Sequence, residues 1–512
     1  MSGKKGRMFQ ATLAVTLVIF LSKAAGLVRD MIVAGYFSTG WEHDAYSSAY
    51  TLFYFPVLLF NSCITSTMIP LYVDARSKQG RAIADQFASN AINLFAAFSL
   101  AVGLLMLALA DPLVHLVYGG FGPEQRALTA GLTQIMMPSL VFVVLSIVMA
   151  SVLNANERYL AAQLTGFPLT VALIVATVVF SPRYGIRAMA WGVFAAGILQ
   201  MLILVPALSG SINYRMHMNF GDERFKRMMR LAIPAMASMA VNEVNHMIDK
   251  SLASFLNTGD ISAMEYAYRL ITFATGVLAV PLTTVMFSKL SQHAADGDRS
   301  SLLSVLNQSA ETMFMIMMPI SVVGCALSTD IIRLVYQHGN FGADAVSVTS
   351  AVFLFYLVGV IGFSLRDVYN RAFHALQDTR TPLIVSIGTV VFNVALNILL
   401  SKVMGVSGLA LATSIACALS AVVLVMLLRR KLGRLGMAKT MKELLKMCLA
   451  GALCLLVALL LERFVPYAPG KLTVLFRLAS VTAASLLVYF GALFALKTRQ
   501  LGALGQVFRR RA

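Results

Sequence analysis

The run from Phe9 to Phe37 is apolar and long enough to cross a bilayer, for which about 20 residues rising 1.5 Å each suffice. It nevertheless carries Lys23, Arg29 and Asp30 within it. At that depth no water satisfies a bare backbone, so a run of this kind must be helical. A charge at mid-membrane costs roughly 2.5–3.5 kcal/mol on insertion scales and is kept where it meets water, protein or a partner. Ser22 and Gly26 share the helical face of Arg29, while Lys23 points about a third of a turn away. A bend at Gly26 would bring the two cations toward one space. Two readings follow: Arg29 and Asp30 neutralise neighbours on other helices, or the cations form a buried site for an anion.

Comparable runs recur along the whole chain. Breaks at Gly, Pro and charge give about fourteen spans of roughly 18 to 30 residues each. With 58% hydrophobic and 12% charged residues, this is the composition of a polytopic membrane protein. The expected fold is all-α, with two six-helix bundles and two further helices. Residues 1–209 form the first bundle, 210–230 a basic cytoplasmic connector and 231–430 the second bundle. Residues 431–512 hold the added pair and a basic tail.

The net charge of +18 would suit a nucleic-acid binder if it were gathered on one surface. It is not. Lys4, Lys5 and Arg7 precede the first span, and Arg76, Lys78 and Arg81 follow the second. Arg224, Lys226, Arg227 and Arg230 follow the sixth, and Arg429, Arg430 and Lys431 the twelfth. Basic residues in alternate loops are the positive-inside pattern, with both termini cytoplasmic and no nucleic acid as partner. Arg183 and Arg187, in a short outer loop, go against it. The five cysteines fall in apolar spans without metal-ligand spacing and read as small buried hydrophobes.

An internal repeat shows at an offset of about 218 residues. Ala45, Ala49, Tyr50, Leu52 and Phe55 recur as Ala263, Ala267, Tyr268, Leu270 and Phe273, and Leu116-Val117-Tyr118 as Leu334-Val335-Tyr336. Six spans separate the copies, so both have the same orientation in the membrane. Transporters built from two such bundles place the binding site between them and work by rocking.

Arg269 in the eighth span corresponds to Thr51 of the first copy. It either pairs with Glu265 one turn away or joins Lys23 and Arg29 around a cationic cavity that a polyanion would fill. Pyrophosphate meets that requirement through charge-assisted bonds to arginine. A second group is formed by Asn393 and Asn397 on the eleventh span, Thr413 in the twelfth and Asp249 in the seventh. Their hard oxygens suit a small cation such as sodium, or else make ordinary interhelical hydrogen bonds. No catalytic arrangement stands out: the seven histidines are scattered, and Glu243-x-x-His246 reads as a local polar contact. No glycine-rich loop followed by Lys-Ser/Thr is present, so transport would draw on an ion gradient or the membrane potential. The last two spans, Leu444–Leu461 and Leu472–Leu496, are either packing helices or a lipid-facing groove for a long hydrocarbon chain.

Several stretches together resemble the MurJ/MviN lipid II flippases of the MOP exporter superfamily, over the whole chain. Ser22-Lys23-Ala24-Ala25-Gly26-Leu27-Val28-Arg29-Asp30 is similar to the family's Ser-Arg-x-x-Gly-x-x-Arg-Asp opening, and His43-Asp44-Ala45-Tyr46 to its Thr-Asp-Ala-Phe. Tyr266-Ala267-Tyr268-Arg269-Leu270 is similar to Tyr-Ala-x-Arg-Leu, and the run from Arg371 to Pro382 to the family's most recognisable segment. The resemblance implies a transporter, not an enzyme, of a bacterial cytoplasmic membrane. It implies two bundles in a V, a groove for the polyprenyl tail in the added pair, and lipid II as cargo, flipped from inner to outer leaflet by alternating access. By motif match Arg29 and Arg269 become cavity arginines, Lys23 stands where an arginine is usual, and Asp44 matches a functional acid. A sodium site maps onto Asp249, Asn393, Asn397 and Thr413, with Asn397 in place of an acid. A second-span arginine of the family is missing, where this chain has Pro56-Val57-Leu58. Membrane lipids and cell-wall synthesis enzymes are the implied partners. The alternatives are a translocase for another polyprenyl-diphosphate glycan and a cation-coupled drug exporter.

Overall fold

The structure is a computed structural model, and it describes residues 2–433, 435–464 and 470–501. Every regular element among them is helical. The chain divides into two compact units, Met1–Ser262 and Ala263–Ala512.

The first unit begins with α1 (Ser2–Phe37), α2 (Trp41–Gln79) and α3 (Arg81–Ala108). Short α4 (Ala110–Val117) leads to α5 (Pro123–Met136) and α6 (Leu140–Ala155), which are joined by a tight turn at Pro138. There follow α7 (Tyr159–Gln163), α8 (Gly166–Val175), α9 (Ser181–Tyr184), α10 (Arg187–Leu202), α11 (Val205–Ser209) and α12 (Glu223–Ala253). Its core lies between α2, α3 and α6, where Ile64, Met68, Tyr72, Phe87, Leu94 and Val148 are buried. Burying such side chains contributes roughly 1.5–3 kcal/mol each in water, but in lipid close packing takes over most of that role. α12 belongs to this unit and packs along α2.

Next come α13 (Asp260–Ala295), α14 (Arg299–Ala326), α15 (Ser328–Tyr336), α16 (Ala343–Ala375), α17 (Arg380–Met404), α18 (Val406–Leu432), α19 (Met437–Phe464) and α20 (Lys471–Ala495). Small residues let α16 and α18 approach closely: a Cβ on Gly359 would lie 2.3 Å from Ser414 Oγ, and one on Gly362 would lie 2.9 Å from the backbone of Ala418. The added pair is fastened to α14 and α15 rather than left free. Tyr489 donates to the carbonyl of Met315 (3.0 Å), Gln500 to Glu311 (2.9 Å), and Arg477 lies 3.1 Å from Asp330. The opposite faces of the pair carry exposed Leu453, Leu487, Phe476 and Phe494.

Among the described residues 12 helices are long and apolar enough to cross a membrane. α1 and α12, at 36 and 31 residues, have the length but carry charge within their apolar stretches. Together they give about fourteen spans, as the hydropathy reading expects. The repeat is visible in atomic detail as well as in sequence. Tyr118 donates to the carbonyl of Ser48 (3.2 Å), and Tyr336, its counterpart, to the carbonyl of Tyr266 (3.2 Å).

The basic connector is not a loose loop. From Ser211 to Asn219 the chain runs beside α3, pinned by its side chains. The N–H groups of Asn213, Arg215 and Asn219 donate to Asp85, Ser89 and Asn90, and Asn93 donates to the carbonyl of His217. This explains why the first half of α3 is polar: each of those side chains satisfies a backbone group that would otherwise be stranded.

Candidate functional site

α1 is continuously helical through Gly26. The side chain of Ser22 fills the space that a Cβ on Gly166 of α8 would need, which fixes the face α1 turns to its neighbour. On that face Arg29 is neutralised within its own helix. Its Nε and Nη2 both donate to Asp30 Oδ1, at 2.9 and 2.6 Å, with the two side chains only 11% and 16% exposed. Consecutive helical residues do not normally face each other. The long arginine folds back because a bare guanidinium at this depth is costly. Lys23, six residues earlier, is exposed.

Asp44 lies in the first turn of α2 and is buried. Its Oδ2 accepts from the N–H of Gly259 (2.6 Å), and its Oδ1 from the N–H and hydroxyl of Ser262 (2.8 and 2.5 Å). Ser262 is the repeat counterpart of Asp44, so this acid is bonded to the residue that holds its own place in the second copy. Because the Ser262 proton goes to Asp44, the contact between His43 Nδ1 and Ser262 Oγ (2.9 Å) has the imidazole as donor. The approach needs glycine at 259, where φ is +92° and a Cβ would lie 2.4 Å from the carbonyl oxygen of Thr39. A carboxylate over the exposed N–H groups of a helix start is favourable, since those donors have no partner inside the helix. Nearby, Gly120 is equally tight: a Cβ there would lie 2.2 Å from the carbonyl oxygen of Ser254.

Arg269 makes the i, i+4 ion pair with Glu265, at 2.9 Å. The spacing allowed this or an unpaired cation, and the structure has the pair. The arginine side chain is 38% exposed and that of Glu265 21%. The first copy solves the same positions differently. Ser47 and Thr51 stand where Glu265 and Arg269 stand in the second, and both receive Lys250 of α12, whose Nζ lies 3.0 Å from Ser47 Oγ and 2.8 Å from Thr51 Oγ1. Residue spacing alone does not point to that contact, because Lys250 lies on a different helix. Asn242, Asn245, His246, Asp249 and Lys250 fall within about half of the circumference of α12, making a polar face at membrane depth.

Three of the four residues expected to hold a cation are brought together. Asn397 Nδ2 donates to Asn393 Oδ1 (3.0 Å), Asn393 Nδ2 to Thr413 Oγ1 (3.3 Å), and all three are buried between α17 and α18. Asp249 belongs to the other unit; it is buried, with Asn245 Nδ2 at 3.4 Å from its Oδ2. The amide and hydroxyl oxygens are hard donors, matched in kind to a monovalent cation. In this structure they bond to one another. Among the described residues no cluster of His, Cys, Asp and Glu suited to a transition metal occurs.

A family model described as "Lipid II flippase MurJ" matches residues 33–478. The chain is 26% identical over 438 residues to "Lipid II flippase MurJ" of Burkholderia cenocepacia, covering 83% of this chain and 84% of that one. It is 29% identical over 410 residues to "Probable lipid II flippase MurJ" of Thermotoga maritima, covering 79% and 82%. Among solved structures it superposes on "Lipid II flippase MurJ, inward closed conformation" with a TM-score of 0.78 and 26% identity, over 95% of this chain and 100% of the other. An inward-facing multidrug transporter of the MOP superfamily gives a TM-score of 0.72 over 83% of this chain; at 14% identity it shares the fold alone.

Proposed function

The chain belongs to the MurJ family of membrane transporters, and from that membership we propose that it carries lipid II, the polyprenyl-diphosphate-linked peptidoglycan precursor, from the inner to the outer leaflet by alternating access. The single observation behind this reading is the extent of the match: the fold of a protein named a lipid II flippase is reproduced over 95% of this chain.

In this reading Lys23, Arg29 and Arg269 meet the diphosphate. Arg29 has five N–H donors and spends two on one oxygen of Asp30, so the pair keeps the cation affordable without cargo and leaves donors for a phosphate. Arg269 is similarly poised by Glu265. Hydrogen bonds to charged groups contribute roughly 1.5–3 kcal/mol each. The headgroup crosses while the polyprenyl tail stays in lipid along the exposed apolar faces of α19 and α20. Asp44, released from Gly259 and Ser262, becomes a free carboxylate, so the outer loop 254–262 is the element whose opening it controls. Coupling is to an ion gradient or the membrane potential. Asp249, Asn393, Asn397 and Thr413 are the residues that would hold sodium, and a bound ion would supply positive charge beside the buried Asp249.

Arg29→Gln and Arg269→Gln, each inserted at normal levels, are expected to abolish growth rescue of a flippase-depleted strain. Full rescue by either would overturn the assignment of these arginines. Native mass spectrometry against a panel of polyprenyl-diphosphate glycans separates lipid II from other headgroups; retention of a different glycan in its place would redirect the proposal.

A further inference from the structure

The loop that breaks the positive-inside pattern carries two arginines that the transport reading leaves unused. Arg183 is the penultimate residue of α9 and Arg187 opens α10, and both are exposed. Among the described residues neither guanidinium has an ion-pair or hydrogen-bond partner. They lie about 30 Å along the helices from the connector that begins at Gly210, one hydrocarbon thickness away. Arginine kept on this side, against the usual bias, calls for an anion there.

What surrounds the pair identifies the anion. On α10, Arg187, Trp191, Leu199 and Leu202 are exposed at helical spacing, a stripe with charge at its tip and an indole one turn below. On the adjoining helix, Val171, Val175 and Val179 make a second exposed stripe that ends at Tyr184 and Arg183. The two helices touch closely, since a Cβ on Gly192 would meet that of Ala176 at 2.8 Å. From Ala176 to Phe180 the helix widens by one residue per turn, which turns Val178, Val179 and Phe180 outward in succession. Aromatic side chains beside arginine at the end of an apolar stripe match the headgroup level of a bilayer. From Trp191 to Leu202 the stripe is about 17 Å long, close to half a hydrocarbon core, so it fits an ordinary acyl chain and not a long polyprenyl tail.

We propose that the α8–α10 hairpin carries a binding site for an anionic glycerophospholipid of the outer leaflet, with the phosphodiester on Arg183 and Arg187 and an acyl chain along the exposed stripes. Arginine suits the phosphate because its planar fork offers paired donors and sheds water readily. The site is separate from the proposed transport residues and does not depend on the cargo.

The chain has two tryptophans, so Trp41→Phe leaves Trp191 as the sole indole reporter beside the site. Full-length protein in vesicles is titrated with brominated phosphatidylglycerol or brominated phosphatidylcholine, and quenching is followed. Quenching by the anionic lipid should reach its midpoint at a roughly thirtyfold lower mole fraction, as expected for two arginines near a lipid phosphate. Arg183→Gln with Arg187→Gln should erase the preference, while the double lysine variant should keep part of it. High salt should weaken it in the parent protein. Equal quenching by both lipids, or a preference unchanged in the double glutamine variant at an unaltered unfolding temperature, would overturn the site. So would displacement of the brominated lipid by polyprenyl diphosphate at a lower mole fraction than by unbrominated phosphatidylglycerol, which would give the arginines to cargo.

Discussion

Ser47 and Thr51 of α2 and Glu265 and Arg269 of α13 are the same helical positions in two copies, about 218 residues apart. In the second copy the polar requirement is met inside one helix, by an ion pair one turn long. In the first it is met across helices, by Lys250 reaching the two hydroxyl groups from α12. The tyrosines at 118 and 336 hold the neighbouring backbone alike, so the divergence lies in the side chains and not in the framework. A repeat thus conserves its backbone bonds while its charges are redistributed. One copy carries its charge as a self-contained pair and the other borrows it from a packing partner. The lesson concerns robustness: a cross-helix contact fails when packing shifts, whereas an i, i+4 pair moves with its helix.

The contact that joins counterpart to counterpart should be the most costly to remove. Asp44→Ala strands the N–H groups of Gly259 and Ser262 in a buried place, a loss of about 3 kcal/mol, read as a fall in unfolding midpoint in detergent. Asp44→Asn, which keeps an acceptor, should recover a good part. An alanine variant of parent stability would show that the 254–262 loop is not held by this acid. Next in size, Lys250→Met should cost roughly 1–2 kcal/mol because it severs α12 from α2. Glu265→Gln should cost under about 1 kcal/mol, since the Arg269 side chain is part-exposed and solvent screens the pair. Equal losses in the two variants would erase the distinction between borrowed and self-contained charge. The smallest effects belong to Tyr118→Phe and Tyr336→Phe, each about 1 kcal/mol for one hydroxyl bond. Markedly unequal values for the two tyrosines would mean that the copies differ in framework too.

Much of this is legible in the residue order alone. The span count follows from apolar run length, and the repeat from a constant offset. The polar side chains of α12 follow from residues that no lipid-facing helix would keep. The Asn393, Asn397 and Thr413 cluster was legible because i, i+4 spacing puts both amides on one face. Other features were out of reach. Asp85, Ser89, Asn90 and Asn93 look like a polar blemish on the third span until the connector is seen lying on them. Arg29 was expected to seek a neighbour on another helix or an anion, and it took the adjacent Asp30, which helical geometry alone disfavours. In this structure Asp44 bonds the backbone of Gly259 and Ser262, a contact that depends on a loop conformation no spacing rule specifies.

By itself, then, the amino-acid order determined that this chain is a double set of bilayer-crossing helices with charge held at depth, because lipid forces each backbone to satisfy itself and continuous apolar runs of about 20 residues do so as helices. Spacing along a helix also fixes which side chains share a face. It does not fix what that face meets. Whether Arg269 takes Glu265, whether Lys250 finds Ser47 and Thr51, and whether Asp44 caps a helix start were decided only when the helices packed. Each of those bonds competes with others of similar strength, and tertiary distance chooses among them.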